Sequence, residues 1–135
     1  MLSLVYVSTC SEQFAASELM PLAERAAKAN VELGVTGLLA WNSRHFMQLL
    51  EGEDSAVRKL MGRIERDERH SHVVYLRQED REERECPDWG MQAITMPLAG
   101  AGSATRFTAG LPKGLAPDSR LLFTSFASAL RERAA

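Results

Sequence analysis

Val35-Thr36-Gly37-Leu38-Leu39-Ala40-Trp41-Asn42-Ser43-Arg44-His45-Phe46-Met47-Gln48-Leu49-Leu50 holds two apolar runs on either side of a short polar turn. Val35 to Trp41 reads as one strand and Phe46 to Leu50 as the next, joined through Asn42-Ser43-Arg44. The second run is apolar enough to be central and largely buried, yet it carries Gln48 in its middle. Strand alternation places Phe46, Gln48 and Leu50 on one face.

Upstream, Leu2 to Ser8 is a further apolar strand, with Leu2, Leu4 and Tyr6 on one face and Ser3, Val5 and Val7 on the other. After a polar turn, Ser17 is a candidate helix cap and Pro21 is tolerable near the helix start. Leu19, Leu22, Ala23, Ala26, Asn30 and Leu33 recur at spacings of three and four, and Gly34 stops the helix. Downstream, Asp54 or Ser55 is the expected N-cap of a second helix, whose core face is Val57, Leu60, Met61 and Ile64. Asp67 marks its end, and Val73 to Leu76 is the fourth strand. The charge run Asp80 to Glu85 reads as a solvated loop, and Trp89 to Met96 as a fifth strand. Pro97 to Pro117 is rich in Gly, Ala and Pro and reads as an irregular connection. A last helix is expected from about Asp118, with Leu121, Leu122, Ser125, Phe126, Ala129 and Leu130 on one face. The order β-α-β-β-α-β-β predicts a ferredoxin-like α/β sandwich, with both helices on one face of a mixed sheet. The first and third strands are then neighbours at its centre. Residues 1–96 form the domain and 97–135 an extension with one amphipathic helix.

A chain of 135 residues supports one core, and a net charge of −2 offers no surface for nucleic acid. No signal peptide is legible at Met1, and no run approaches the ~18 apolar residues of a membrane span. Cys10 and Cys86, with His45, His70 and His72, lack zinc spacing, so no metal is expected and a reducing, cytoplasmic setting is. No glycine-rich phosphate loop is present, and nothing local supports a Cys–His nucleophile.

A buried glutamine amide without partners costs roughly 2–7 kcal/mol on transfer scales. Tyr6 faces the same side of the neighbouring strand, so the two form a donor–acceptor pair able to address a polar heterocycle. Satisfaction by backbone or water is the plainer alternative. Asn30, on an otherwise apolar stripe, poses the same question, and an ordinary polar helix end would answer it.

Five segments resemble the BLUF domain, a module that senses blue light using FAD. They are Leu4-Val5-Tyr6-Val7-Ser8, Asn30-Val31-Glu32-Leu33-Gly34-Val35-Thr36-Gly37-Leu38-Leu39, Phe46-Met47-Gln48-Leu49-Leu50-Glu51-Gly52, Ile64-Glu65-Arg66-Asp67-Glu68-Arg69-His70 and Pro87-Asp88-Trp89-Gly90-Met91. They fall in family order and at family spacing. The resemblance implies a photoreceptor, not an enzyme, holding oxidised FAD noncovalently (FMN or riboflavin being possible). Tyr6 resembles the tyrosine that donates an electron and a proton to the excited flavin. Gln48 resembles the glutamine between that tyrosine and the flavin N5 and O4 edge, and its rotation or tautomerisation gives a reversible red-shifted state. Asn30 matches the asparagine bonding the ring's carbonyl edge, while Leu22 and Ile64 fall where the ring is sandwiched. Arg63, Arg69 and His70 are candidates for the ribityl-phosphate end. Trp89 and Met91 match the positions that carry the signal out.

Three positions depart from the family pattern: Cys86 for a phenylalanine, Ala26 for a serine, and Ala29 for a polar residue. They bear on flavin affinity and species. The alternatives are a flavin-free interaction protein of the same fold and a small acylphosphatase-type hydrolase, which would need a phosphate-cradling loop. With no effector domain legible in 135 residues, output is expected through a homo-oligomer or a separate protein partner, by way of the fifth strand and the last helix.

Overall fold

The hairpin expected from Val35 to Leu50 forms the interior of the sheet. Strand β2 (Thr36–Trp41) pairs antiparallel with β3 (His45–Gly52), placing Leu39 opposite Gln48 and Trp41 opposite Phe46. The turn is closed by side-chain chemistry: Asn42 Oδ1 accepts from the Arg44 and His45 amides at 2.8 and 2.7 Å. Ser43 completes it with a φ of 77°.

The structure, a computed structural model, describes the backbone of residues 1–88, 92–95 and 110–134, and their side chains apart from 92–95 and 127–134. Its elements are β1 (Leu2–Cys10), a 3-10 turn (Ala16–Glu18), α1 (Leu19–Leu33), β2, β3, α2 (Asp54–Glu65), β4 (His70–Asp80), β5 (Gln92–Thr95) and α3 (Pro117–Ala134). The sheet runs β4-β1-β3-β2-β5. β1 lies antiparallel to both β3 and β4, whereas β5 runs parallel to β2. This is the ferredoxin-like sandwich with a mixed sheet, and β1 and β3 are neighbours within it.

Alternation sorts the strands onto two cores. Leu2, Leu4, Tyr6, Leu39, Phe46 and Leu50 face α1 and α2 and pack with Leu19, Val57 and Met61. Val5, Leu38, Ala40, Met47 and Leu49 face the other way, under Leu111, Leu115, Phe123 and Phe126. The C-terminal helix therefore covers its own sheet. Without it, one whole apolar face would lie in water.

Several boundaries differ from expectation, for physical reasons. Ser17 caps nothing; the Glu18 carboxylate instead takes the Ala15 amide at 2.8 Å, and the chain enters α1 through the 3-10 turn. Helix α2 has Glu53 at its N-cap, one residue before the expected Asp54, and no side chain bonds that end. At the close of α1, Gly34 takes φ 69°, and Val35 N–H donates to Asn30 O at 2.9 Å. Strand β4 is 11 residues long and not four, because a bulged edge strand need not show an apolar pattern. Its register shifts twice against β1, and His72 takes φ 52°. The run Asp80 to Glu85 is not simply solvated: Glu85 is buried and ion-paired to Arg77 at 3.2 Å. The stripe of α3 is rotated from the expected one. Ser119, Phe123 and Phe126 are buried, while Leu121 is 65% exposed and Ser125 is exposed.

Phe123→Ala, at a fully buried position, should lower stability by about 3–5 kcal/mol. Leu121→Ala should change it by less than about 0.5 kcal/mol. Urea unfolding followed by circular dichroism checks both, and the reverse ranking would restore the stripe expected from sequence.

Candidate functional site

Tyr6 and Gln48 stand opposite each other on β1 and β3, and the Tyr6 hydroxyl donates to Gln48 Oε1. Both are buried, Tyr6 wholly. Burial, reinforced by the nearby charge of Asp67 and by Tyr75, holds the Tyr6 hydroxyl far above its usual pKa. It remains a phenol that keeps its proton and points it at the Gln48 amide oxygen.

Gln48 in turn forms part of the floor of a cleft of about 230 Å³ between α1 and α2. Helix α1 contributes Leu22, Arg25, Ala26, Ala29 and Asn30; α2 contributes Leu60, Arg63 and Ile64. Leu39 of β2 and then Asp67, Arg69 and His70 complete the lining. The helical spacing that put Asn30 among apolar residues delivers it here, only 1% exposed. Of the expected cofactor-binding residues, Leu22, Asn30, Gln48, Arg63, Ile64, Arg69 and His70 share this cleft, and Tyr6 sits behind Gln48. Trp89 and Met91 lie outside the described residues.

One end of the cleft is electrostatically self-contained. Arg69 Nε donates to Asp67 Oδ1 at 2.9 Å, and Nη2 reaches Oδ2 at 2.5 Å. This hydrogen bonding holds the Asp67 carboxyl below its usual pKa and raises Arg69. His70 Nδ1 meets Ser8 Oγ at 2.8 Å, and its ring lies 4.6 Å from that of Phe46. Burial outweighs the nearby Asp67 charge and lowers the His70 pKa to about 4. The imidazole is therefore neutral at pH 7 and supplies no positive charge. Arg63 and Arg25 are exposed on the lining and do supply it. Arg25 escaped the sequence reading, although it lies three residues after Leu22 and so on the cleft-facing side. Asp67 was read only as a helix terminator, and Leu60 only as core.

The chemistry of these donors fits a flavin ring. Leu22 and Ile64 come from opposite helices and offer apolar walls, with the Asn30 and Gln48 amides beneath. Pockets that engulf whole drug-sized ligands run roughly 300–1,000 Å³, so a cleft of this size suits the ring with the remainder extending beyond it. Ala26 and Ala29 line the cleft and leave it open.

A family description, sensors of blue-light using FAD, matches residues 1–92. The chain belongs to the BLUF family. BLUF domains are light sensors and not enzymes, and FAD is the chromophore they use. The photoactivated adenylate cyclase subunit beta of Euglena longa is 30% identical over 94 residues, covering 69% of this chain and 11% of that protein. The blue light- and temperature-regulated antirepressor BluF of Escherichia coli strain K12 is 32% identical over 74 residues, 55% of this chain and 18% of that one. The chain thus spans between a tenth and a fifth of these relatives' length. The dark-state structure of BlrB, a BLUF protein, superimposes with a TM-score of 0.70 at 28% identity, covering 98% of this chain and 92% of BlrB. Membership favours flavin binding over the flavin-free alternative. Among the described residues no helix is long and apolar enough to cross a membrane. Both thiols are buried and held above their usual pKa, Cys86 at about 12, so neither is a thiolate nucleophile.

A pH dependence follows from His70. Unfolded imidazole titrates near 6.5 and the folded one near 4, so the unfolded chain takes up the proton first as pH falls. The stability held above about pH 6.5 should decline progressively towards pH 4, by at most on the order of 3 kcal/mol. His70→Gln should flatten that slope in thermal melts between pH 7 and 4.

Proposed function

We propose that Tyr6 and Gln48 are the photoactive pair of this blue-light sensor, on the strength of one observation: the Tyr6 hydroxyl is hydrogen-bonded to a Gln48 amide that forms the cleft floor. Bound in the cleft, FAD supplies an excited state that accepts an electron under blue light. Tyr6 is suited to give up that electron because its proton already has an acceptor in Gln48 Oε1. An aromatic ring buried on every side also excludes water from the exchange. Gln48 is the switch. Its amide carries a donor and an acceptor, so rotation or tautomerisation reverses what it offers to Tyr6 and to the cleft. Return of both the electron and the proton to Tyr6 would leave Gln48 rearranged, with a changed hydrogen-bonding group turned to the cleft, where it would lower the excitation energy of a bound flavin.

The remaining residues hold the ligand. Asn30 bonds the ring's polar edge, and Leu22 and Ile64 clasp its faces. Arg63, joined by Arg25, meets the phosphate end, while Arg69 and His70 shape that end through Asp67 and Ser8. Residues 1–96 carry the chromophore and 97–135 an output extension. Trp89 and Met91 pass the change on to a homo-oligomer or to a separate protein. The cyclase and antirepressor activities in the relatives' names belong to those proteins. The two free, buried thiols suit a reducing cytoplasm.

Purified protein should be yellow and shift reversibly to the red under blue light without bleaching. Tyr6→Phe should keep the flavin and abolish the shift, and Gln48→Ala should abolish it too. Asn30→Ala should weaken flavin binding by about 1 kcal/mol, roughly fivefold in Kd. Dark-minus-light absorption spectra decide this, and a full reversible shift in Tyr6→Phe would overturn the assignment.

A further inference from the structure

Glu51 ends the run that begins at Phe46, and its side chain points away from the cleft. It is a carboxylate only 1% exposed. It is held by donors alone: Thr36 Oγ1 at 2.9 Å, the Glu85 amide at 2.8 Å and the Cys86 amide at 2.7 Å. Burying a carboxylate costs several kcal/mol unless it is fully hydrogen-bonded, so these contacts fix the 85–86 backbone firmly to β3. The preceding residue fastens the other wall of the cleft. Arg84 donates to Gly34 O at 2.6 Å and to Glu51 O at 2.9 Å. Gly34 ends the helix that carries Asn30, and Glu51 lies three positions beyond Gln48 on one strand. The segment is thus tied to both elements that present amides to the cleft.

The same segment holds the C-terminal helix. Glu85 Oε1 accepts from the Ala116 amide at 2.7 Å, at the threshold of α3. Its other oxygen pairs with Arg77, whose guanidinium also bonds Asp118 at 2.9 Å and Ser119 at 2.5 Å. An unbroken chain of polar contacts therefore runs from the Gln48 strand to the start of α3, on the side of the sheet opposite the cleft. The neighbouring edge strand β4, by contrast, is bulged against pairing with another chain.

We propose that Glu51 is a positioning residue for signal output: it locks segment 84–86 to the strand bearing Gln48, so that rearrangement of Gln48 reaches α3 through Glu85 and Arg77. The proposal rests on Gln48 being the switch. It requires the segment to sit differently in dark and light, because coupling extends only as far as the two states differ in interaction free energy. Glu51→Gln replaces one acceptor oxygen by a donor facing an N–H, which loosens the lock without touching the cleft.

The test compares hydrogen exchange at residues 117–126 in dark and blue-lit samples of the flavin-loaded full chain, alongside absorption spectra. In the wild type, light should change exchange there by about tenfold, and in Glu51→Gln by less than about twofold. The red shift should be the same in both. A purely structural role for Glu51 would lower stability and leave the light–dark difference intact, which overturns the proposal; so would a wild type whose α3 exchange ignores light. Should Glu51→Gln fail to fold, Asp118→Ala provides the second arm. Its side chain is half exposed, and its removal should shrink the difference by at least about threefold with the red shift kept; an undiminished difference overturns the proposal. Loss of the red shift in the wild type would instead refute the reading of Gln48 itself.

Discussion

Tyr6 lies opposite Gln48 because β1 and β3 pair antiparallel in a register that runs unbroken from Leu2 against Gly52 to Thr9 against His45. A slip of one residue would turn the whole set Leu2, Leu4 and Tyr6 to the opposite face, taking the phenol away from the cleft. Such a slip is resisted from both sides of the sheet. Leu4, Phe46 and Leu50 are buried under the paired helices, and Val5, Met47 and Leu49 under α3. A strand with one polar face could tolerate misregister at its solvent side; these two cannot. The C-terminal helix, on the face opposite the cleft, thus helps to hold Tyr6 and Gln48 in alignment.

The polar residues are divided between the faces according to what each must do. On the cleft side the buried and half-buried ones are neutral or self-neutralised, Tyr6 with Gln48, His70 with Ser8 and Asp67 with Arg69, while the charges of Arg25 and Arg63 are exposed. An electron leaving a phenol is sensitive to nearby uncompensated charge, and closely paired or neutral groups leave little of it. On the far side the buried groups include the acidic and basic side chains of Glu51, Arg77 and Glu85. They lie away from the cleft, and a hydrogen-bonded polar cluster fixes geometry more strictly than apolar packing would.

Much of this was legible in the sequence. The hairpin, both helices, the order of strands and seven of the cleft residues follow from apolar periodicity and from the family motifs, because those are the features that burial imposes locally. Most of what was not legible shares one cause. Strand β4, the charge run Asp80 to Glu85 and the turn of α3 are all specified by partners distant in sequence. Arg77 finds Ser119 and Asp118 some forty positions away, and nothing near Glu85 hints that it is buried. Leu121 was expected on the core face and Phe123 was not, yet Leu121 is exposed and Phe123 wholly buried, because the turn of α3 on the sheet is fixed by its tertiary partners. Arg25 was missed for a different reason: a charged residue on the flank of an apolar stripe reads as surface unless a ligand is already placed beside it.

The alternation of a single strand connects the two halves of the molecule. Gln48 and Glu51 stand three positions apart on β3, so one faces the cleft and the other the far side. The residues between them, Leu49 and Leu50, are wholly buried in opposite cores, which leaves no room for one to move without displacing its surroundings. A change at Gln48 that alters its hold on β1 or on the ligand is therefore carried along rigid backbone to Glu51, where it meets two amides of the 84–86 segment instead of a yielding layer of side chains. Apolar contacts between the sheet and Phe123 would absorb a small displacement, because dispersion is short-ranged but undirected. Hydrogen bonds to a buried carboxylate do not, since their strength falls steeply with angle. The strand that carries Gln48 is in this way bonded, through the 84–86 segment, to the helix on the far side of the sheet.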